Sequence, residues 1–366
     1  MDEPVEVVVV GGGVSGLNLL RNLSEAGISC RLLEARGRLG GRVLTVDAEG
    51  EPSADGFDLG PSWYWPRLQP ALARLVDELK LEAFAQSSDG DVVFERMSRE
   101  PAGRYTGVGS SAETMRLSGG SAALVRALSD KVVAEAIGLN SLVTGLSLET
   151  HGVDVIFRDA QGSEQSLRSR FVAFCLPPRL LEATITFNPE PETATSALWR
   201  DTPTWMAGQA KFFALYDTPF WREDGLSGTA QSMVGPMLEI HDATTESGRP
   251  ALFGFLGIGP GERQSMGEEA IKEACLAQFT RLFGPQAGTP EATLFKDWAF
   301  DEFTATAQDV ASSGHPAPSA SWVQGAWADR IVLAGSEVSP AEAGYLAGAI
   351  EASDLAAEDL RSRLGR

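Results

Sequence analysis

Hydrophobic and polar positions follow two rhythms along the chain, and the change between them marks the first unit. Val5–Val10 is β-branched except for Glu6, and it stops at Gly11-Gly12-Gly13. An almost unbroken apolar run closed by glycines predicts a strand of a parallel sheet, buried on both faces. From Val14 to Ala26 the spacing becomes helical, with Leu17, Leu20 and Leu23 on one face, and Gly27 predicts the stop. Ile28 to Leu33 is the next strand. The chain therefore opens on a βαβ unit.

Further along, Pro70 to Leu81 predicts an amphipathic helix through Leu72, Leu75, Val76 and Leu79, with Pro70 in its first turn. Ser121 to Leu128 predicts a helix after Gly119-Gly120. Val153 to Phe157 and Phe171 to Leu176 predict strands around a polar turn at Asp159 to Ser163. Lys211 to Tyr216, Ala251 to Leu256 and Ile331 to Ala334 predict strands, Ala341 to Leu364 mostly helix, and Pro316 to Ser321 a surface loop. No internal repeat is present.

At 366 residues the chain fits about two domains. Its 30 basic and 50 acidic residues leave a net charge of -20, which disfavours a phosphate-tracking nucleic-acid binder. Cys30, Cys175 and Cys275, like His151, His241 and His315, are scattered without metal-ligand spacing, so no metal site is expected. An odd cysteine count suits a reducing compartment. Met1-Asp2-Glu3-Pro4 lacks a basic leader and no apolar stretch is long enough to span a bilayer, so a soluble, cytoplasmic protein without a membrane partner is expected. Only five lysines occur, at 80, 131, 211, 272 and 296. Codon bias accounts for the scarcity, which makes each lysine easy to audit.

Gly11-x-Gly13-x-x-Gly16 lies between the first strand and the first helix. In that context the first glycine permits a tight turn, the second a close approach to a pyrophosphate, and the third helix–strand packing. The helix start, with Ser15 in its first turn, adds free N–H groups. Glu34 closes the second strand, where a carboxylate can bind both ribose hydroxyls and repel a 2′-phosphate, so NADP is disfavoured. Ala35-Arg36-Gly37-Arg38-Leu39-Gly40-Gly41-Arg42 follows, a second anion cradle with charge-assisted donors on Arg42.

At this point the sequence resembles the FAD-dependent amine oxidases. The fingerprint, the glutamate and Arg38-Leu39-Gly40-Gly41-Arg42 match in order, and Asp58-Leu59-Gly60-Pro61-Ser62-Trp63 is similar to the family segment beside the flavin. Gly119-Gly120-Ser121, Leu139 to Val143, Phe174 to Pro178 and Ile185 to Pro189 continue the match. The most specific block is Ile331 to Glu337, through Gly335, followed by Gly344-Tyr345-Leu346-Ala347-Gly348. The resemblance covers about half the chain and leaves 67–116 and 222–296 unmatched. It implies an α/β fold in which a Rossmann-like FAD-binding domain (1–66, 117–180 and 297–366) is interleaved with an α+β substrate-binding domain (67–116 and 181–296).

The resemblance also assigns roles. Val143 holds adenine through its backbone. Lys211, at the start of an apolar strand, holds a water against the flavin; the bland alternative is a snorkelling edge lysine. Tyr345 stands over the flavin ring, and Trp298 packs beside it or is plain core. Trp63 and Trp65 line the substrate pocket. At the positions of the family's covalent cysteine and its following tyrosine stand Ala307 and Gln308. FAD should therefore be non-covalent, with Gln308 lining an incomplete aromatic cage, and Ser353 replaces a usual glycine. The activity implied is oxidation of a C–N bond by hydride transfer to flavin N5, with imine hydrolysis and reduction of O₂ to H₂O₂, the partners being a small amine and O₂. Alternatives are an L-amino-acid oxidase using Arg67 or Arg104 for the carboxylate, a protoporphyrinogen oxidase, a carotenoid desaturase, or a non-catalytic flavin-fold protein like the Rab escort relatives.

Overall fold

The computed structural model describes residues 4–106, 113–312 and 314–366. Met1-Asp2-Glu3, read above for a leader, lies outside them. The opening unit forms as the pattern requires: strand Val5–Val10, helix Val14–Glu25, strand Cys30–Leu33. Val7, Val8 and Val9 are fully buried, because both faces of the sheet are covered, Val7 and Val9 packing with Leu17 and Leu20 of the first helix and Val8 with Leu181 and Trp199 of the helices Pro178–Thr184 and Thr193–Asp201.

Among the described residues the first sheet has eight strands. Val5–Val10 runs parallel to Cys30–Leu33 on one side and to Glu164–Phe174 on the other. Ile331–Leu333, from near the other end of the chain, also joins Glu164–Phe174 in parallel. A meander of Leu142–Glu149, Gly152–Arg158 and Glu164–Phe174 extends the sheet. The helix Leu346–Leu364 packs on Val14–Glu25, so both chain ends build one layer. Across that contact Asn18 Nδ2 donates to Ser353 Oγ at 2.8 Å, an acceptor that a glycine at 353 could not supply.

Among the described residues the second sheet has seven strands. Ala210–Leu215 pairs antiparallel with Ala251–Leu256 and with Ala292–Asp297. The strand is buried throughout, and its two faces meet different cores. Phe212 and Ala214 pack with Cys275 and Phe279 of the helix Glu268–Phe283. Phe213 and Leu215, on Lys211's side of the strand, pack on Phe57 and Leu59. That face therefore points Lys211 toward the segment after Phe57–Asp58.

Two predicted helices change their limits, and one strand pair is new. The helix at Pro70 ends at Glu78, and Lys80 takes φ 54°. The last helix starts at Leu346 rather than Ala341, because Gly344 turns the chain with φ 84°. The strand pair Leu226–Ser232 and Met237–Asp242 was not expected: its burial pattern is irregular and carries no clean alternation. Among the described residues no helix is long and apolar enough to cross a membrane, and no group of three His, Cys, Asp or Glu side chains could hold a metal.

Candidate functional site

One cavity of about 580 Å³ runs between the two sheets, from the glycine fingerprint to Lys211. Its first wall is the turn between Val10 and Val14. Gly16 is obligatory, since a Cβ there would lie 1.9 Å from the Gly11 carbonyl oxygen. Gly13 differs: a Cβ would meet nothing closer than the Gly40 oxygen at 3.9 Å. It caps the helix Val14–Glu25 without any side-chain bond to the free N–H groups, so the helix start faces the cavity uncapped. Ser15 turns inward, its hydroxyl donating to the Ala334 carbonyl.

Glu34 is buried beside this turn. Its carboxylate accepts the Gly12 N–H at 2.6 Å and the Arg36 N–H at 2.8 Å, which leaves lone pairs on both oxygens for further donors. Gly40 bridges to Gly13, and its N–H donates to the Gly12 carbonyl at 2.8 Å. Arg38 braces the glycine pair by donating to the carbonyls of Leu39, Gly41 and Val43. Val143 lines the same end; its partnering by Thr186–Asn188 begins only at Gly145, so one edge of the strand faces the cavity. An uncapped helix start, an acidic strand end and a glycine surface that a Cβ would fill together suit a dinucleotide.

Two arginines are deployed otherwise than expected. Arg42 lines the cavity, but four of its five N–H groups are engaged with Glu337, Ser336 Oγ and the Trp205 carbonyl. Glu337 is fully buried and does not line the cavity. Arg36 pairs with Asp301, donates to Thr304 Oγ1 at 3.2 Å and lies over the Phe303 ring.

Lys211 closes the far end. It is 4 % exposed, so it does not snorkel. Its Nζ donates to the Asp58 carbonyl at 3.1 Å, the Gly60 carbonyl at 2.6 Å and Ser62 Oγ at 2.9 Å. Phe253 and Phe255 lie under it at 4.7 and 5.0 Å from their centroids. Burial pushes its pKa down to about 7, with Asp58 opposing and Arg116 reinforcing the shift. Trp298 packs nearby, its indole N–H donating to the Leu59 carbonyl at 2.9 Å.

Of the expected residues, the cavity brings together Gly11, Gly13, Ser15, Glu34, Ala35, Arg36, Gly40, Gly41, Arg42, Gly60, Pro61, Ser62, Trp63, Trp65, Val143, Lys211, Trp298, Gly344, Tyr345 and Leu346. Gly16, Gly335 and Glu337 stand behind the wall. Gly335 is required by packing, since a Cβ there would lie 2.7 Å from the Leu176 oxygen. Gln308 does not line the cavity. Its short helix Ala307–Ala311 is tied elsewhere, through Asp309 to Arg179 and Thr204. Arg67 and Arg104 do not reach the cavity either; Arg104 binds the Asp224 carbonyl and Asp91. Trp205, Met206, Gln209 and Phe255 line it and were missed. Trp205 lies in a loop with no periodicity, so only the fold reveals it.

A Rossmann-like sheet whose glycine turn opens into a cavity against a second sheet defines a dinucleotide-binding class of fold. The comparisons specify which. A model for a NAD(P)-binding Rossmann-like domain matches residues 9–79, and the model for flavin containing amine oxidoreductases matches residues 102–361. The chain belongs to the flavin-containing amine oxidoreductase family, and so is an oxidoreductase with a flavin cofactor. It is 23 % identical to a protein of Dictyostelium discoideum named "Probable flavin-containing monoamine oxidase A", with 98 % of each chain covered. It is 24 % identical to an L-amino acid dehydrogenase of Synechocystis, over 96 % of this chain and 94 % of that one. A solved structure of wild-type putrescine oxidase bound to putrescine superposes with a TM-score of 0.81 at 21 % identity, covering 98 % and 99 % of the two chains, which shows the shared fold.

Proposed function

We propose that the chain is an FAD-dependent oxidase of small amines that binds its cofactor without a covalent bond. The observation that carries this reading is Lys211: one buried amine, fixed by three acceptors, at the inner end of the cavity that begins at the glycine fingerprint. In this reading the uncapped helix start and Gly13 hold the pyrophosphate, Glu34 the ribose, the edge at Val143 the adenine, and Trp298, Gly344 and Leu346 the flavin end. Bound FAD supplies a two-electron acceptor. The overall change is R–CH₂–NH₂ + O₂ + H₂O → R–CHO + NH₃ + H₂O₂.

Lys211 can hold or release a proton at Nζ near neutral pH. Protonated, it donates all three hydrogens to Asp58, Gly60 and Ser62, and none is left for water. Neutral, it has a lone pair that accepts from the Ser62 hydroxyl or from a water in the cavity. The water-holding role implied by the family resemblance is therefore available to the neutral amine. Trp63, Trp65 and Tyr345 supply an apolar enclosure that keeps bulk water from the reacting carbon.

The test is a purified protein assayed with a panel of amines and amino acids, reading H₂O₂ and the bleaching of the visible flavin band. Bleaching without peroxide would retain amine oxidation and assign electrons to an acceptor other than O₂. No bleaching with any amine would overturn the reading.

A further inference from the structure

The expected second aromatic of the cage, at Gln308, is missing from the cavity, but an aromatic from elsewhere stands beside Tyr345. Trp205 lines the cavity with its ring centroid 6.2 Å from that of Tyr345, the planes tilted by 52°. We propose that Trp205 is the specificity-determining wall of the substrate chamber and, with Tyr345, receives the apolar body of a monoamine. This rests on the amine-oxidising reading above.

The loop around Trp205 is built to hold the ring in place. Before it, the Thr204 N–H and hydroxyl both donate to Asp309, at 3.1 and 3.3 Å, and Asp309 is itself in a buried pair with Arg179. Its own carbonyl accepts from Arg42 Nη1 at 3.2 Å. After it, Met206 takes φ 62°, a left-handed conformation costly for a side-chain-bearing residue and concentrated where a neighbour must be aimed. Gly344 completes the seat, since a Cβ there would lie 2.4 Å from the Trp205 Cβ. The exposed His315, which does not line the cavity, packs on both rings, its centroid 4.0 Å from that of Trp205 and 5.4 Å from that of Tyr345. A half-buried aromatic fixed on every side presents a rigid apolar surface at little entropic cost.

The charges around the cavity restrict what that surface can receive. Among the described lining residues the cations are Arg36, Arg42 and Lys211, and each is already partnered. An α-carboxylate would have to compete for them with the acceptors they already hold. The lining carboxylates are Glu34, engaged at the glycine turn, and Glu302, which sits between Asp301 and Phe303, both packed on Arg36. A second ammonium beside Trp205 and Tyr345 would be desolvated without a counter-charge. An aryl or alkyl monoamine fits, and an amino acid or diamine does not.

The experiment uses the flavin-loaded protein and four probes: 2-phenylethylamine, phenylalanine, putrescine and 2-phenylethanol. The alcohol has the apolar body of the first amine and reports binding by calorimetry without turnover. Wild type should oxidise 2-phenylethylamine at least about tenfold more efficiently than phenylalanine or putrescine, the size of one lost charge partner. Trp205→Leu and Trp205→Ala should raise KM for 2-phenylethylamine and Kd for 2-phenylethanol together by about tenfold, with kcat little changed. Trp205→Phe should recover most of both. Wild-type affinity for 2-phenylethanol in Trp205→Leu with full flavin content, or a preference of wild type for phenylalanine or putrescine, overturns the proposal. If wild type oxidises no amine while alcohol binding still depends on Trp205, the amine-oxidising reading fails and the aromatic wall stands.

Discussion

Glu337 is fully buried, and both terminal nitrogens of Arg42 grip its carboxylate, at 2.6 and 3.1 Å. The pair joins the glycine-rich segment after Glu34 to the turn before the last helix, and Arg42 extends it to the Trp205 carbonyl. Its two members are unequally placed: the Arg42 side chain is 28 % exposed and that of Glu337 is 0 %. Removing Arg42 strands a buried carboxylate, whereas removing the charge of Glu337 leaves an arginine that water can reach. Arg42→Met should therefore destabilise the protein by about 3–5 kcal/mol, and Glu337→Gln by about 1–2 kcal/mol. Urea unfolding of the two variants measures the difference, and equal losses would show that the asymmetry of burial does not matter here.

The fingerprint glycines separate folding from cofactor binding. Gly13 has φ -75°, which alanine accepts, and a Cβ there meets no atom within 3.8 Å. Gly13→Ala should fold with stability within about 1 kcal/mol of wild type, yet purify with little flavin because the methyl enters the cavity. Gly16→Ala would put its Cβ 1.9 Å from the Gly11 oxygen and should not fold to the native sheet. Thermal unfolding and the ratio of flavin to protein absorbance check both. A flavin-replete Gly13→Ala would remove that wall from the binding site.

Gly11 and Gly16 were legible in the sequence because a hard steric requirement leaves one residue type at each position; Gly13 meets no such limit in the fold and was legible only through its spacing from the other two. The βαβ opening was legible because burial on both faces writes an unbroken apolar run. Gly344 was legible as a cavity position, and the fold adds a second requirement there, room for the Trp205 side chain. Trp205 itself was illegible because it lies in a loop and acts through contacts with Arg42, Gly344 and Tyr345, all far away in sequence. The uses of Arg42 and Arg36 were hidden likewise: an arginine's partner is a matter of long-range packing.

The covalent state of the cofactor can be tested through cysteine. Among the described residues Cys175 is the cysteine that lines the cavity, and burial pushes its thiol up to about 12. Ala307 lies on a short helix outside the cavity lining. A tether needs a thiolate, and Cys175 is almost wholly protonated at neutral pH. Heat or acid precipitation should leave the yellow colour in the supernatant, and Cys175→Ala should change nothing in that partition. Colour retained on the precipitated chain would refute non-covalent binding.

Lys211 makes the activity depend on pH in a direction that can be stated beforehand. Its folded pKa, pushed down to about 7 by burial, lies below the unfolded value of about 10.4. Between those limits the unfolded chain binds more protons than the folded one, so this group makes stability rise with pH across the window. In the native state the lone pair on Nζ appears as pH rises through 7. Flavin reduction by a good amine, followed by stopped flow, should accelerate across that range with an apparent pKa close to that of Lys211. Lys211→Met should lower the rate at pH 8 by about 10²-fold or more, the usual worth of a positioned proton-transfer group, and should flatten this limb of the profile. The same variant should lose the rise in stability between pH 7 and pH 9.5, measured by urea, while keeping its flavin. A pH profile identical to wild type would take Lys211 out of the chemistry and leave it a structural clamp on Asp58, Gly60 and Ser62.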